Sequence, residues 1–162
     1  MSMSVEQFLS LSDTEQLQTI KDLNDIGQEE IIIDVLTGVG IDNLSVPLLG
    51  ELGRAYNNND KPEEAIKVFK AIDTEHRDAV WYYRCAYSHG SIASTNHEAY
   101  TSENMQQMLA LVDSGVQLAT KEDRNDIKEY CFEVMDMCRL QMGFEKCEID
   151  YPDLCLNYSK YI

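Results

Sequence analysis

The stretch VPLLGELGRAYNNNDKPEEAIKVFKAI, residues 46–72, decides the fold. Leu49, Leu52, Gly53 and Tyr56 fall at i, i+3, i+4 and i+7, one face of a helix, with a small residue where a neighbouring helix has to come close. Asn57 to Asp60 form a turn cluster, and Pro62 stands just inside the next helix, where its missing N–H costs nothing. Ala65, Phe69 and Ile72 repeat the stripe, again a small residue followed by an aromatic one. Two short helices joined by a tight turn, with small residues at the crossing, make a helical hairpin.

At these residues the chain resembles a tetratricopeptide repeat (TPR). The resemblance rests on Leu49, Leu52-Gly53, Ala55-Tyr56, the turn through Lys61, Glu64-Ala65 and Phe69, all at the family's spacing. The chain departs from the family pattern at Asp60, where the turn usually carries Gly, and in lacking the Pro that commonly closes a repeat. A weaker copy follows: Val80, Tyr83 and Ala86-Tyr87 repeat the spacing of Leu49, Leu52 and Ala55-Tyr56, with Arg84 in the place of Gly53. Gly90 then reads as a turn, followed by a polar insertion, SIASTNHEAYTS, over 91–102. The partner helix is expected over Glu103–Ala119, with Met105, Met108, Val112 and Val116 buried. The family resemblance thus covers about 46–119. It implies an all-α fold: a short right-handed α-solenoid of antiparallel helix pairs.

On the N-terminal side, Ser12 and Glu15 form the S-x-x-E capping box of a helix that carries Leu17, Ile20 and Leu23, or Ile20 and Asn24, and stops at Gly27. A second helix is expected from Gln28 to about Leu36, with Ile32, Val35 and Leu36 inward and Gly38 and Gly40 ending it. The β-branched triplet Ile31–Ile33 also fits a strand, but no partner strand is visible, which favours the helix. On the C-terminal side, Ile127, Cys131, Val134, Cys138 and Met142 mark a helix over about Arg124–Met142, and a last one is expected over Asp153–Tyr161. The organisation expected is one domain, 1–162: N-terminal helices in 1–40, hairpins in about 46–119, and C-terminal helices in 120–162. Stacked hairpins cannot bury their end faces unaided, so the terminal helices read as caps.

The composition fits this reading. A 44% hydrophobic and 26% charged chain with eight Gly and three Pro suits helices on short loops. Twenty-nine acidic against thirteen basic residues leave a net charge of -16, which repels phosphate backbones and anionic lipid and steers basic proteins inward. Nucleic acid and membrane are therefore poor partners. The start, MSMSVEQFLS, lacks the basic and apolar regions of a signal peptide, and the five cysteines form no C-x-x-C pair. Reduced thiols in a cytoplasmic protein are expected.

There is no glycine-rich phosphate loop, no His-Glu-x-x-His and no Gly-x-Ser-x-Gly, and His76, His89 and His97 stand singly. Neither catalytic residues, nor a metal site, nor a cofactor is expected. Cys131 and Cys138 fall on an apolar helix face, where a thiol packs as a small hydrophobe.

The TPR resemblance implies a groove lined by the first helix of each hairpin. Carried over, it names Gly50, Arg54, Asn57 and Asn58 from the first hairpin, and Trp81, Cys85 and Ser88 from the second. Trp81 is the single Trp and reads either as a contact anchor surplus to the packing stripe or as a side chain packed on an adjacent helix. Arg54 is the one cation among these residues, which disfavours the family's carboxylate clamp for acidic peptide tails. The function expected is non-enzymatic binding of a protein or peptide through the groove or the acidic surface. A sharper form is a bacterial immunity-type inhibitor that captures a basic toxin. The alternatives are a regulatory or enzymatic site near 91–102 using His89 and His97, and a homo-oligomerising scaffold.

Overall fold

The computed structural model describes the backbone of residues 2–95, 102–142 and 145–162, and the side chains of these except 102 and 138–147. His97 with the rest of 96–101 in the insertion, and the side chains of Cys138, Met142 and Cys147, lie outside the described residues. Every regular element among the described residues is helical. The chain divides into two compact units, Met1–His76 and Arg77–Ile162. The division falls between the two hairpins expected from the sequence.

The first unit holds α1 (Val5–Leu9), α2 (Asp13–Asp25), α3 (Glu29–Val39), α4 (Val46–Asn58) and α5 (Pro62–Lys70). Serines open the first two. The Ser12 N–H donates to Glu15 Oε2 at 2.8 Å while Ser12 Oγ accepts from the Glu15 N–H at 3.4 Å, the reciprocal box expected. The Ser12 N–H bond, joined by one from the Ser12 hydroxyl to Glu15 Oε2 at 2.8 Å, holds the Glu15 carboxyl below its ordinary value, the backbone bond most strongly. The α1 helix was not expected from the sequence, although Ser4 and Gln7 make the same box at 3.1 and 2.9 Å. Ile31 to Ile33 are helical within α3. Ile20, Leu23, Ile32, Val35 and Leu36 are buried as expected. Gly40 ends α3 with φ +97, whereas Gly38 lies inside the helix and faces Val5 of α1.

Gly53 explains the tight pairing of α4 with α5. A Cβ there would lie 2.5 Å from Phe69 Cζ and 2.8 Å from Phe69 Cδ1, so the ring packs directly on bare helix backbone. Leu52, Ala55, Ala65 and Phe69 are fully buried around it.

The second unit holds α6 (Ala79–Thr95), α7 (Ser102–Lys121), α8 (Asn125–Met142), α9 (Glu145–Asp150) and α10 (Pro152–Tyr161). Its core joins Ala79 and Ala86 of α6 to Met105, Met108, Val112, Val116 and Ala119 of α7. Ile127, Cys131, Val134 and Met135 of α8 and Leu154 and Tyr158 of α10 complete it. Here the close approach is made from the opposite helix. A Cβ on Gly115 of α7 would lie 3.0 Å from Cys131 Sγ and 3.3 Å from Tyr82 Cβ. The small residue at this crossing is thus on α7, and Arg84 of α6 is half-buried.

The expected turn at Gly90 is corrected. The α6 helix runs on through Gly90 to Thr95. Side-chain hydroxyls bond its carbonyls along that stretch: Ser88 Oγ donates to Arg84 O and Thr95 Oγ1 to Ser91 O, both at 3.0 Å. One buried Gly costs a helix only about 1 kcal/mol, which the packed neighbours offset.

One closing device recurs at three helix ends. The N–H groups of Gln28, Lys61 and Arg124 donate to Leu23 O, Tyr56 O and Ala119 O at 2.9, 2.9 and 2.8 Å. The residue before each is left-handed: Gly27 at φ +74, Asp60 and Asp123 at +54. This is the 6→1 closure of a Schellman motif. Asp60, the departure from the family's turn glycine, thus adopts the conformation that glycine would take, as Asp can.

Candidate partner-binding surface

The residues expected to line a groove divide by burial. Trp81 is 7% exposed, Cys85 2% and Ser88 0%, and Asn57 is buried as well. The Trp81 ring carries the Arg77 guanidinium 4.2 Å from its centroid and the Tyr82 ring edge-on at 4.8 Å. The Trp81 backbone N–H donates to Asp78 Oδ1 at 2.9 Å, which ties the start of α6. Trp81 is therefore a buried side chain, in keeping with the reading that it packs within the fold. Within the first unit, Asn58 is exposed and Gly50 and Arg54 are half-buried.

Arg54 is a member of a polar network between α2 and α4. Its guanidinium donates to Asp25 Oδ1 at 2.9 Å and reaches Glu51 Oε2 at 3.5 Å. Burial pulls its pKa down, but the Asp25 hydrogen bond and the charges of Glu51 and Asp25 prevail and raise it. Asn24 Nδ2 donates to Glu51 Oε2 at 2.9 Å and to the Glu51 carbonyl at 3.1 Å. Glu51 and Asn24 are 5% and 4% exposed, so these bonds replace water around a buried carboxylate. Asn24 Oδ1, also buried, accepts no hydrogen bond among the described residues. The sequence gives no sign of this network: Asn24 appears as a stripe position, and nothing pairs it with Glu51.

Other candidate chemistry is sparse. Glu30, Ile33, Asp34, Asn59 and Lys61 line an open hollow of ≈ 210 Å³, below the size of an ordinary small-molecule site. No group of three or more metal-ligating side chains stands together among the described residues. Burial pushes the Cys131 thiol up to about 12, far from a nucleophile's range. His76 lies 3.5 Å from its neighbour Glu75 on the surface, and His89 is half-buried in α6. No helix among the described residues is long and apolar enough to cross a membrane.

The chain matches no family model, no curated protein and no solved structure.

Proposed function

We propose that this chain is a non-enzymatic protein-binding module built on hairpins of TPR type, and that its acidic surface receives a basic protein partner. The observation that carries the reading is the α4–α5 hairpin, where Gly53 seats Phe69 at the spacing the repeat family uses. The net charge of -16 gives the choice of partner, because a field of one sign accelerates capture of the opposite sign. With Trp81, Cys85 and Ser88 buried, the exposed acidic helix faces are the working surface in this reading, in preference to the groove. An immunity-type inhibitor of a basic toxin is its sharpest form, and a cytoplasmic setting suits it.

The test is affinity capture from native lysate at low and at high salt, followed by titration calorimetry with the purified partner. A basic protein bound at fixed stoichiometry, with affinity falling steeply as salt rises, is the expected result. Recovery of no stoichiometric partner, or of an acidic one bound equally well at high salt, refutes the reading.

A further inference from the structure

The exposed face of α8 is both acidic and aromatic. Glu129, Glu133 and Asp136 recur at i, i+4 and i+7 along it, and Tyr130 adjoins Glu133 one turn away. Tyr130 is 42% exposed and stacks with one side on Tyr83 of α6, the ring centres 5.2 Å apart. Tyr161 of α10 is 39% exposed and packs against Phe132 at 5.2 Å. Glu133 lies one turn from Tyr130 and next in sequence to Phe132, on which Tyr161 packs; its charge raises the Tyr161 hydroxyl after burial, and that of Tyr83 after burial and Tyr87. Asp136 accepts a hydrogen bond from Tyr158, which leaves Glu129 and Glu133 as the exposed carboxylates of the face. Arg84 of α6 is the basic group that acts on Tyr83 there.

We propose that this face of α8, with Tyr130 one turn from Glu133 and Tyr161 on its neighbour Phe132, docks an arginine-rich segment of a partner protein. A guanidinium lies over a tyrosine ring and pairs with Glu133 in the same pose, using its planar fork on the carboxylate and its flat face on the ring. A lysine offers only a point charge to the same groups. A second copy of this chain fits worse, because it brings another -16 of charge to a face already lined by carboxylates. The proposal rests on the reading of the chain as a binder of basic protein and assigns the surface that does the binding.

Fluorescence anisotropy with labelled nona-arginine and nona-lysine, at about 0.15 M salt, where distant surface charges are screened, tests the assignment. Wild type binds nona-arginine more tightly than nona-lysine, by about threefold. Tyr130→Ala weakens nona-arginine about fivefold although it removes no charge, and Tyr130→Phe, which keeps the ring and the packing, binds as wild type does. Glu133→Gln weakens binding about fivefold to tenfold, whereas Glu63→Gln on α5, the same change of charge in the other unit, leaves it unchanged. Equal losses in Glu63→Gln and Glu133→Gln show that binding is diffuse charge and overturn the site. So does an unaltered affinity in a folded Tyr130→Ala. A dimer seen by light scattering and broken by Tyr130→Ala makes a second copy the occupant and overturns it too. A native partner that Tyr130→Ala still captures removes this site and leaves the binding-module reading standing. Failure of wild type to hold either peptide or any basic protein removes both.

Discussion

Gly53→Ala is the sharpest probe of the first unit, because two effects of known sign oppose each other there. In an exposed helix interior the change gains about 1 kcal/mol from propensity alone. At Gly53 the added methyl would stand 2.5 Å from Phe69 Cζ and 2.8 Å from Cδ1, where carbon atoms settle at about 3.5–4.0 Å. The ring must retreat by about 1 Å, yet Phe69 is fully buried and has no free end to swing aside. Overpacking of this kind costs about 1–3 kcal/mol, and with so large an overlap the upper half of that range applies. The net expectation is a loss of about 1–2 kcal/mol, or about 5–10 °C in the melting of a unit of this size. Phe69→Leu takes the clashing ring away, so Gly53→Ala in that background becomes neutral or stabilising by up to about 1 kcal/mol. The resulting coupling of about 2 kcal/mol is read from a double-mutant cycle of urea melts followed by circular dichroism. A single Gly53→Ala variant more stable than wild type, with an unchanged m-value, would show that α4 and α5 do not pack through this position.

Three further outcomes follow from other residues. Asn24→Leu removes the donor that holds the buried Glu51 carboxylate and should lower stability by about 1–3 kcal/mol in urea melts; a neutral result would sink the network. The Cys131 thiol is raised by burial from 9.0 to about 12, so the unfolded chain loses its proton first and this group's contribution fades as pH climbs through that interval. Cys131→Ala should flatten that alkaline decline, and in wild type Cys131 should resist iodoacetamide at pH 8 by mass spectrometry; rapid labelling in the native state contradicts the burial. Asp60→Gly should stabilise by about 0.5 kcal/mol, since glycine takes the left-handed conformation without a Cβ penalty, and Asp60→Val should destabilise by more than that amount; equal melting of the two variants refutes the strain.

Much of the helical layout was legible because the apolar positions keep a helical period and the ends carry caps. Glu103–Ala119 was expected and Ser102–Lys121 is found, with Met105, Met108, Val112 and Val116 all buried. The stop at Gly90 failed because glycine signals a helix end only where the chain has a reason to leave, and α6 stays packed past it. The second close approach was not legible because the weaker copy carries Arg84 where the first hairpin has Gly53, and Gly115 lies beside the α7 stripe, one residue before Val116. The surface was the least legible part. Helical spacing reveals that Trp81 and Tyr83 face different ways, but not that Arg77 folds back over the Trp81 ring. Nor does it reveal that Tyr161, distant in sequence, comes to Phe132 beside the α8 acids.

The three left-handed helix exits bear on how such a chain changes over time. Their closing bonds run from backbone to backbone, Gln28 to Leu23, Lys61 to Tyr56 and Arg124 to Ala119, so no particular side chain is needed to make the turn. A position filled by glycine in one turn and by aspartate in two others shows that the device accepts more than one residue able to turn left-handed. Substitutions can accumulate at these corners while the direction in which the next helix departs stays fixed. Ancestry in a chain of this kind is then better preserved in the path of its main chain than in the letters that a sequence pattern compares.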